Sequence, residues 1–310
     1  MSSTPLTTTV AGSAAEEDDS ASTAGRFARA RGVFGKMPFF TKCCSVWLTI
    51  VVLAAVLADF IPGLPDPNYQ GFIFGDGETN AGPSASHWLG TDNVSRDILA
   101  RLIYGARVSL IFAASGVFFG IVIGGLVGSI AGYFRGFLET SLMFSVDVML
   151  SFPALIGFLC ITQFLGRQDL FILCLVIAIF IWPPFSRVAR ATALSVSGKD
   201  FVTAARAIGT STRRILFREI FPNVFPTLLA YGLVLLATLV ILESTLSFLG
   251  LGVEIPTASW GGMINQGRQD LLINIWPPIW PAATLLMTVF SFNNLADWLQ
   301  KQAASRSAAI

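Results

Sequence analysis

The sequence predicts an all-α polytopic membrane protein with six transmembrane helices, and three observations carry that expectation. Hydrophobic residues make up 54% of the 310 and charged ones only 13%, about half the charged share of an ordinary soluble domain. Mean hydropathy is +0.68. The apolar residues gather in six blocks that approach or exceed the roughly 20 residues a helix needs to cross a bilayer, and the basic residues collect in alternate segments between them.

Residues 1–42 form an expected cytoplasmic tail. Its first 25 residues are rich in Ser, Thr and Ala, with the acidic run Glu16-Glu17-Asp18-Asp19, a composition that cannot bury enough apolar surface to order itself. The basic cluster Arg26, Arg29, Arg31, Lys36 and Lys42 then precedes a full-length apolar span, the arrangement of an anchor held N-terminus inside rather than of a cleaved signal. The first span covers 43–61 and an extracytoplasmic loop follows over 62–105. A core membrane domain at 106–298 holds the other five, at 106–132, 142–165, 170–185, 227–249 and 281–298. Trp182-Pro183-Pro184 is expected to end the fourth. Residues 299–310 form a second cytoplasmic tail.

Six spans place both termini on one side, and the distribution of Lys and Arg supports the inner side. The inside segments then carry the N-terminal cluster, Arg135, the series Arg187, Arg190, Lys199, Arg206, Arg213, Arg214, Arg218, and the tail residues Lys301 and Arg306. Outside segments carry Arg96, Arg101, Arg107, Arg167 and Arg268 among the acids Asp66, Asp76, Glu78, Asp92, Asp97, Glu254 and Asp270. Arg107 is expected to snorkel to the interface. Trp47, Trp88, Trp260, Trp276, Trp280 and Trp298 fall near span ends or in outer loops, as interfacial aromatics do. In the second span Gly116, Gly120, Gly124, Gly128 and Gly132 recur every fourth residue, a ridge that lets another helix approach closely. That helix belongs either to this chain or to a partner subunit.

Four cysteines without a CxxC spacing and a single histidine, His87, offer no metal or redox framework. Membrane lipid is the expected surrounding, and no nucleic acid is an expected partner. Acids inside spans are functional candidates because charge is costly in lipid. Asp147 and Glu243 are the two clear cases, each open to a gate or pathway role or to a structural pairing.

The segment between the fourth and fifth spans, 187–222, is basic and reads as helical. Ser197 and Asp200 offer N-caps. Phe201, Ala204, Ala205 and Ile208 fall at i, i+3, i+4 and i+7, giving one apolar face, and Gly209 stands where a helix ends. A second helical stretch at 211–220 leads to Pro222 and Pro226 at the start of the next span. By periodicity alone such a helix suits a partner's groove and an acidic lipid surface equally.

The segment Asp200-Phe201-Val202-Thr203-Ala204-Ala205-Arg206-Ala207-Ile208-Gly209, followed by Arg218-Glu219-Ile220-Phe221-Pro222-Asn223, resembles the cytoplasmic EAA motif of permease subunits of ATP-binding-cassette importers. Thr203 stands in place of the motif's Glu and Phe221 in place of its Leu. The stretch from His87-Trp88-Leu89-Gly90-Thr91-Asp92 to Ser109-Leu110, and Glu243-Ser244-Thr245-Leu246-Ser247-Phe248-Leu249-Gly250 with Ser259-Trp260-Gly261, are similar to two further motifs of the dipeptide, oligopeptide and nickel permeases. Ala296-Asp297-Trp298-Leu299-Gln300 departs from the family's pattern.

The resemblance implies the type I importer permease fold. It also implies a second homologous permease subunit, two ATPase subunits that bind ATP and Mg, and an extracytoplasmic binding protein, in a prokaryotic inner membrane. This chain has no GxxxxGK[ST] loop of its own and is not expected to be an enzyme. Asp200, Phe201, Ala204, Ala205, Ile208, Gly209 and Pro222 are the residues expected to couple to the ATPases. Di- or oligopeptides are the expected cargo, with nickel or another small solute the alternative. A carrier or channel working without ATP fits less well because no matching pair of interrupted spans is apparent, and a membrane enzyme would need convergent nucleophiles or metal ligands that the spans lack.

Overall fold

A computed structural model of the chain describes residues 37–75 and 77–307. The expected disordered tail, the cluster Arg26, Arg29, Arg31 and Lys36, and Asp76 lie outside the described residues. Among those described, regular structure is helical, with one isolated antiparallel bridge between Thr91 and Asp97.

Helix α1 is Phe39–Leu57, extended by a 3-10 turn to Phe60. Helix α2 (Ile98–Phe119), a π turn (Gly120–Gly124) and α3 (Gly125–Phe134) run on as one rod of 37 residues. Helices α4 (Phe137–Ser151) and α5 (Ala154–Leu165) are followed by α6 (Leu170–Ser197) and the short α7 (Asp200–Ala207). A helical turn from Thr212, a π segment (Ile215–Ile220) and α8 (Phe221–Phe248) make a second 37-residue rod. Helices α9 (Trp260–Gly267) and α10 (Trp276–Ser307) complete the order.

Among the described residues, four helices are long and apolar enough to cross a membrane, and the pair α4–α5 makes a fifth if counted as one bent span. Helix α10 has the length at 32 residues, but Asn293, Asn294 and Asp297 dilute its apolar stretch. Most helices outrun the blocks predicted from hydropathy, because a helix satisfies its own backbone in water as well as in lipid. The second begins at Ile98 rather than 106, where Asp97 caps it by accepting from the Ala100 amide at 2.7 Å. The fifth begins at Thr212 rather than 227.

Two proline sites depart from expectation in opposite directions. Pro183 and Pro184 do not end the fourth span, since α6 continues through them to Ser197. Each removes an amide donor from the ladder, yet a helix remains the way to satisfy the rest of the backbone in lipid. The π turn of the neighbouring rod lies alongside, with Gly124 closely facing the Trp182 carbonyl and the Phe185 side chain. Conversely, the predicted continuous third span at 142–165 is broken. Phe152 is extended (ψ 126°) ahead of Pro153, as a residue preceding proline prefers, and α4 and α5 meet at 79°.

The glycine ridge packs inside the chain, which decides between its two readings. A Cβ at Gly132 would stand 2.7 Å from the Arg190 carbonyl and 2.8 Å from the Ala193 side chain. Gly128 similarly meets Ser186 and Ala189, and Gly120 the Phe185 ring. The α2–α3 rod is thus seated on α6 along its inner length, and Phe112, Phe158, Val176, Phe185, Ala189, Leu228 and Val240 fill the core between helices. From Cys44 onward α1 is tied to this core by hydrogen bonds from Trp47 Nε1 to Thr288 Oγ1 (3.2 Å) and from Arg107 Nε to the Ala55 carbonyl (2.9 Å). Arg107 also pairs with Asp59 at 3.0 Å, so it braces two helices rather than merely snorkelling.

Candidate functional site

Helix α7 is short, and its local sequence explains why it holds together. Lys199 is extended and stands at the N-cap without a side-chain cap bond. The expected N-caps therefore do not form: Ser197 Oγ donates back to the Leu194 carbonyl, and Asp200 occupies the first helical turn, where its negative charge opposes the positive end of the helix dipole. At the other end the Gly209 amide donates to the Arg206 carbonyl (3.0 Å) and the Thr210 amide to the Ala205 carbonyl (3.0 Å). With Gly209 at φ +76°, this is the Schellman arrangement, and it needs a residue without a Cβ penalty at that position.

Val202 anchors α7 to the body. It is fully buried, and the Arg206 guanidinium lies 4.7 Å over the Tyr133 ring at the end of α3. The predicted apolar face points elsewhere. Phe201 is 39% and Ile208 82% exposed, Ala204 is exposed, and only Ala205 is half-buried against the core. The helix therefore presents Phe201, Ala204 and Ile208 outward. Val202, which the periodicity passed over, is the residue that fastens it.

Pro222, grouped with this site by its motif, sits at the second position of α8 inside the continuous rod. The π segment precedes it directly. Because Pro222 has no amide to give the Arg218 carbonyl, a wider turn is accommodated there, and Asn223 Nδ2 donates to the Glu219 carbonyl at 2.6 Å.

The two intramembrane candidates occupy different settings. Asp147 is exposed on α4 and accepts from Arg187 Nη2 at 2.7 Å. Arg187 itself lies within α6, not in a loop. About two turns nearer the start of α4, Glu139 pairs with Arg190. Glu243 is 1% exposed and accepts hydrogen bonds from Ser109 Oγ (2.5 Å) on α2 and Ser247 Oγ (2.7 Å). Buried carboxylates persist where hydrogen-bond donors converge on them, and here the donors tie α8 to α2.

Around Glu243 the two remaining sequence motifs meet. Trp260, expected at an interface, is fully buried and donates to the Leu102 carbonyl at 3.0 Å. Gly105 faces its ring and Gly261 faces the Ser244 backbone. Next to it, Arg96 and Arg101, counted from the sequence as outer-loop charges, are 3% and 1% exposed. Arg96 Nε donates to Asp92 Oδ2 (2.6 Å) and its Nη2 to Gln266 Oε1 (2.6 Å). Arg101 donates to the carbonyls of Pro67 and Pro256, each at 3.2 Å. His87 Nδ1 lies 2.8 Å from Asp97 Oδ2. This buried polar hub was not foreseen as a unit, although its members, Asp92 with Arg96 at i, i+4 and Asp97 before a helix, carry the spacing that signals it.

Comparisons with known proteins place this geometry. Residues 98–308 match the family model for the binding-protein-dependent transport system inner membrane component. The chain is 34% identical over 256 residues, 83% of each protein, to the glutathione transport system permease protein GsiD of Escherichia coli O6:K15:H31 (strain 536 / UPEC). It is 33% identical over the same share to that of Shigella dysenteriae serotype 1 (strain Sd197). In structure it is similar to a chain of the MetNI methionine ABC transporter in inward-facing conformations, with TM-score 0.54 and 20% identity over 66% of this chain and 97% of that one. The chain therefore belongs to the family of inner membrane components of binding-protein-dependent transport systems.

Proposed function

We propose that this permease subunit carries short peptides of about glutathione size into the cell, driven by separate ATPase subunits that engage α7. The observation that carries the coupling role is the outward face Phe201, Ala204 and Ile208 on a helix locked at both ends. An apolar surface of this kind, on a rigid element, is an invitation to a partner groove. The small side chain of Ala204 lets such a groove close on the helix. The peptide reading is supported by the identity to the glutathione permeases.

In this reading a homologous permease subunit completes the path, and a binding protein delivers cargo at the end that carries the Asp92–Arg96–Arg101 hub. Two ATPases bind ATP and Mg, and this chain contributes no nucleotide site. Both termini share the ATPase side, in keeping with the distribution of basic residues. Asp200, Phe201, Ala204, Ala205, Ile208 and Gly209 form the lever, and Pro222 lies within the rod that it moves.

The test is Ala204→Arg, chosen over Ala205→Arg because Ala204 is exposed and its replacement leaves the bundle's packing intact. A guanidinium forced into an interface without a partner costs on the order of 2–5 kcal/mol. The complex should insert normally and lose at least about tenfold of its ATP-driven glutathione uptake. Full uptake by the variant in proteoliposomes would refute the assignment.

A further inference from the structure

We infer that the face of α4 carrying Thr140, Asp147 and Ser151 lines a water-filled translocation path, with Arg187 beside it on the wall. The inference rests on the permease reading above and assigns a surface to it. Thr140, Phe144, Asp147 and Ser151 follow one another at intervals of four, three and four, so they share one face of α4. All four are exposed, Phe144 by 69%. The Asp147 and Arg187 side chains are 60% and 58% exposed although they pair at 2.7 Å. Charged side chains in a membrane span face protein or water rather than acyl chains, because each costs several kcal/mol in hydrocarbon.

The backbone points the same way. Around Phe152 the helical ladder stops, with the Phe152 amide bonded to the Met149 carbonyl (3.3 Å) and the Ile156 amide to the Pro153 carbonyl (3.0 Å). A helix end leaves its last carbonyls, and a helix start its first amides, without intrahelical partners. Ser151, Phe152, Pro153 and Ala154 are all exposed at this break. Irregular backbone at membrane depth is tolerated where it is buried in protein or borders water, not against lipid. Depth follows from helix geometry: at about 1.5 Å per residue, Ser151 lies about 18 Å along the axis from Glu139, well inside a hydrocarbon core of about 30 Å.

Helix α1 supplies the contrast. From Ile50 to Leu57 its exposed positions are Ile50, Val52, Leu53, Val56 and Leu57, a purely hydrocarbon surface suited to acyl chains.

The test uses the assembled transporter in proteoliposomes with Cys43, Cys44, Cys160 and Cys174 replaced by alanine, and single cysteines introduced as Ser151→Cys or Val52→Cys. A charged, membrane-impermeant methanethiosulfonate reagent should modify Ser151→Cys at least about tenfold faster than Val52→Cys, since the charged reagent is excluded from hydrocarbon. A lipid-soluble maleimide should reach Val52→Cys. Equal, slow reaction with the charged reagent would place the break against lipid and overturn the inference. A Ser151→Cys closed to both reagents would mean a sealed contact with the partner subunit and overturn it equally. Glutathione uptake by the cysteine-free parent, measured in parallel, separates these outcomes from a failure of the permease reading, which would show as loss of ATP-driven uptake in the unlabelled complex.

Discussion

Val202→Ala should loosen the short helix α7 without touching the face it offers outward. Val202 is the fully buried side chain of that helix, and the substitution removes two carbon atoms from the core. At about 0.8 kcal/mol per buried carbon plus a cavity contribution, the loss is about 2–3 kcal/mol. Every 1.4 kcal/mol is about a tenfold change in an equilibrium constant, so undocking of α7 should become roughly 30- to 100-fold more frequent. The remaining ties are the Arg206–Tyr133 contact and the Gly209 termination, each worth on the order of 1 kcal/mol. Hydrogen exchange reads the result directly: the amides of Val202, Thr203 and Ile208 should exchange faster by that factor while those of the α8 rod stay unchanged. In the coupling role and cargo proposed above, ATP hydrolysed per glutathione imported by the reconstituted transporter should rise, because a loose lever transmits less of each ATPase closure. Unchanged exchange across 202–208 would refute the claim that this valine fastens the helix, and unchanged coupling despite faster exchange would refute the lever.

Three further substitutions probe the body. Gly128→Val should prevent stable assembly, since its side chain would enter the space of Ser186 and Ala189 at a cost of about 3 kcal/mol or more; Gly198→Ala, whose added Cβ would stand 3.7 Å from its nearest neighbour, should leave the melting temperature within a degree or two, by roughly the small effect expected of a surface change. Ser109→Ala withdraws a donor from buried Glu243 and should destabilise by about 1–3 kcal/mol; the same change in a Glu243→Gln background should cost less in thermal unfolding, and equal costs would show that the hydroxyl serves something other than the carboxylate.

What the amino-acid order disclosed, and what it hid, follows from the physics of each signal. Hydropathy marks the part of a helix that lipid touches, so it located the spans but cut short those starting at Ile98 and Thr212, whose early turns carry Arg101 in one and Arg213, Arg214 and Arg218 in the other. Gly209 was legible because a left-handed terminus admits few other residues. The ridge of glycines was legible as a close approach, though its partner was not, since periodicity describes one helix and not the surface facing it. The period of Phe201, Ala204 and Ile208 was legible, and the structure leaves these three exposed, but the anchoring Val202 was missed because a lone buried valine has no period. The break at Phe152-Pro153 was missed because a proline in an apolar run is compatible with both a kink and a stop, as the uninterrupted passage through Pro183-Pro184 demonstrates. Arg96 and Arg101 looked like loop charges, for a composition cannot reveal that Asp92, Gln266 and two distant carbonyls converge on them.

The 37-residue rod from Thr212 to Phe248 has a mechanical consequence. At about 1.5 Å per residue it is a shaft about 55 Å long, with Glu243 about 45 Å from Arg213, so each degree of tilt at the Arg213 end carries Glu243 sideways by about 0.8 Å. A swing of about six degrees therefore displaces the far end of the rod by about 5 Å, the spacing of one helical turn.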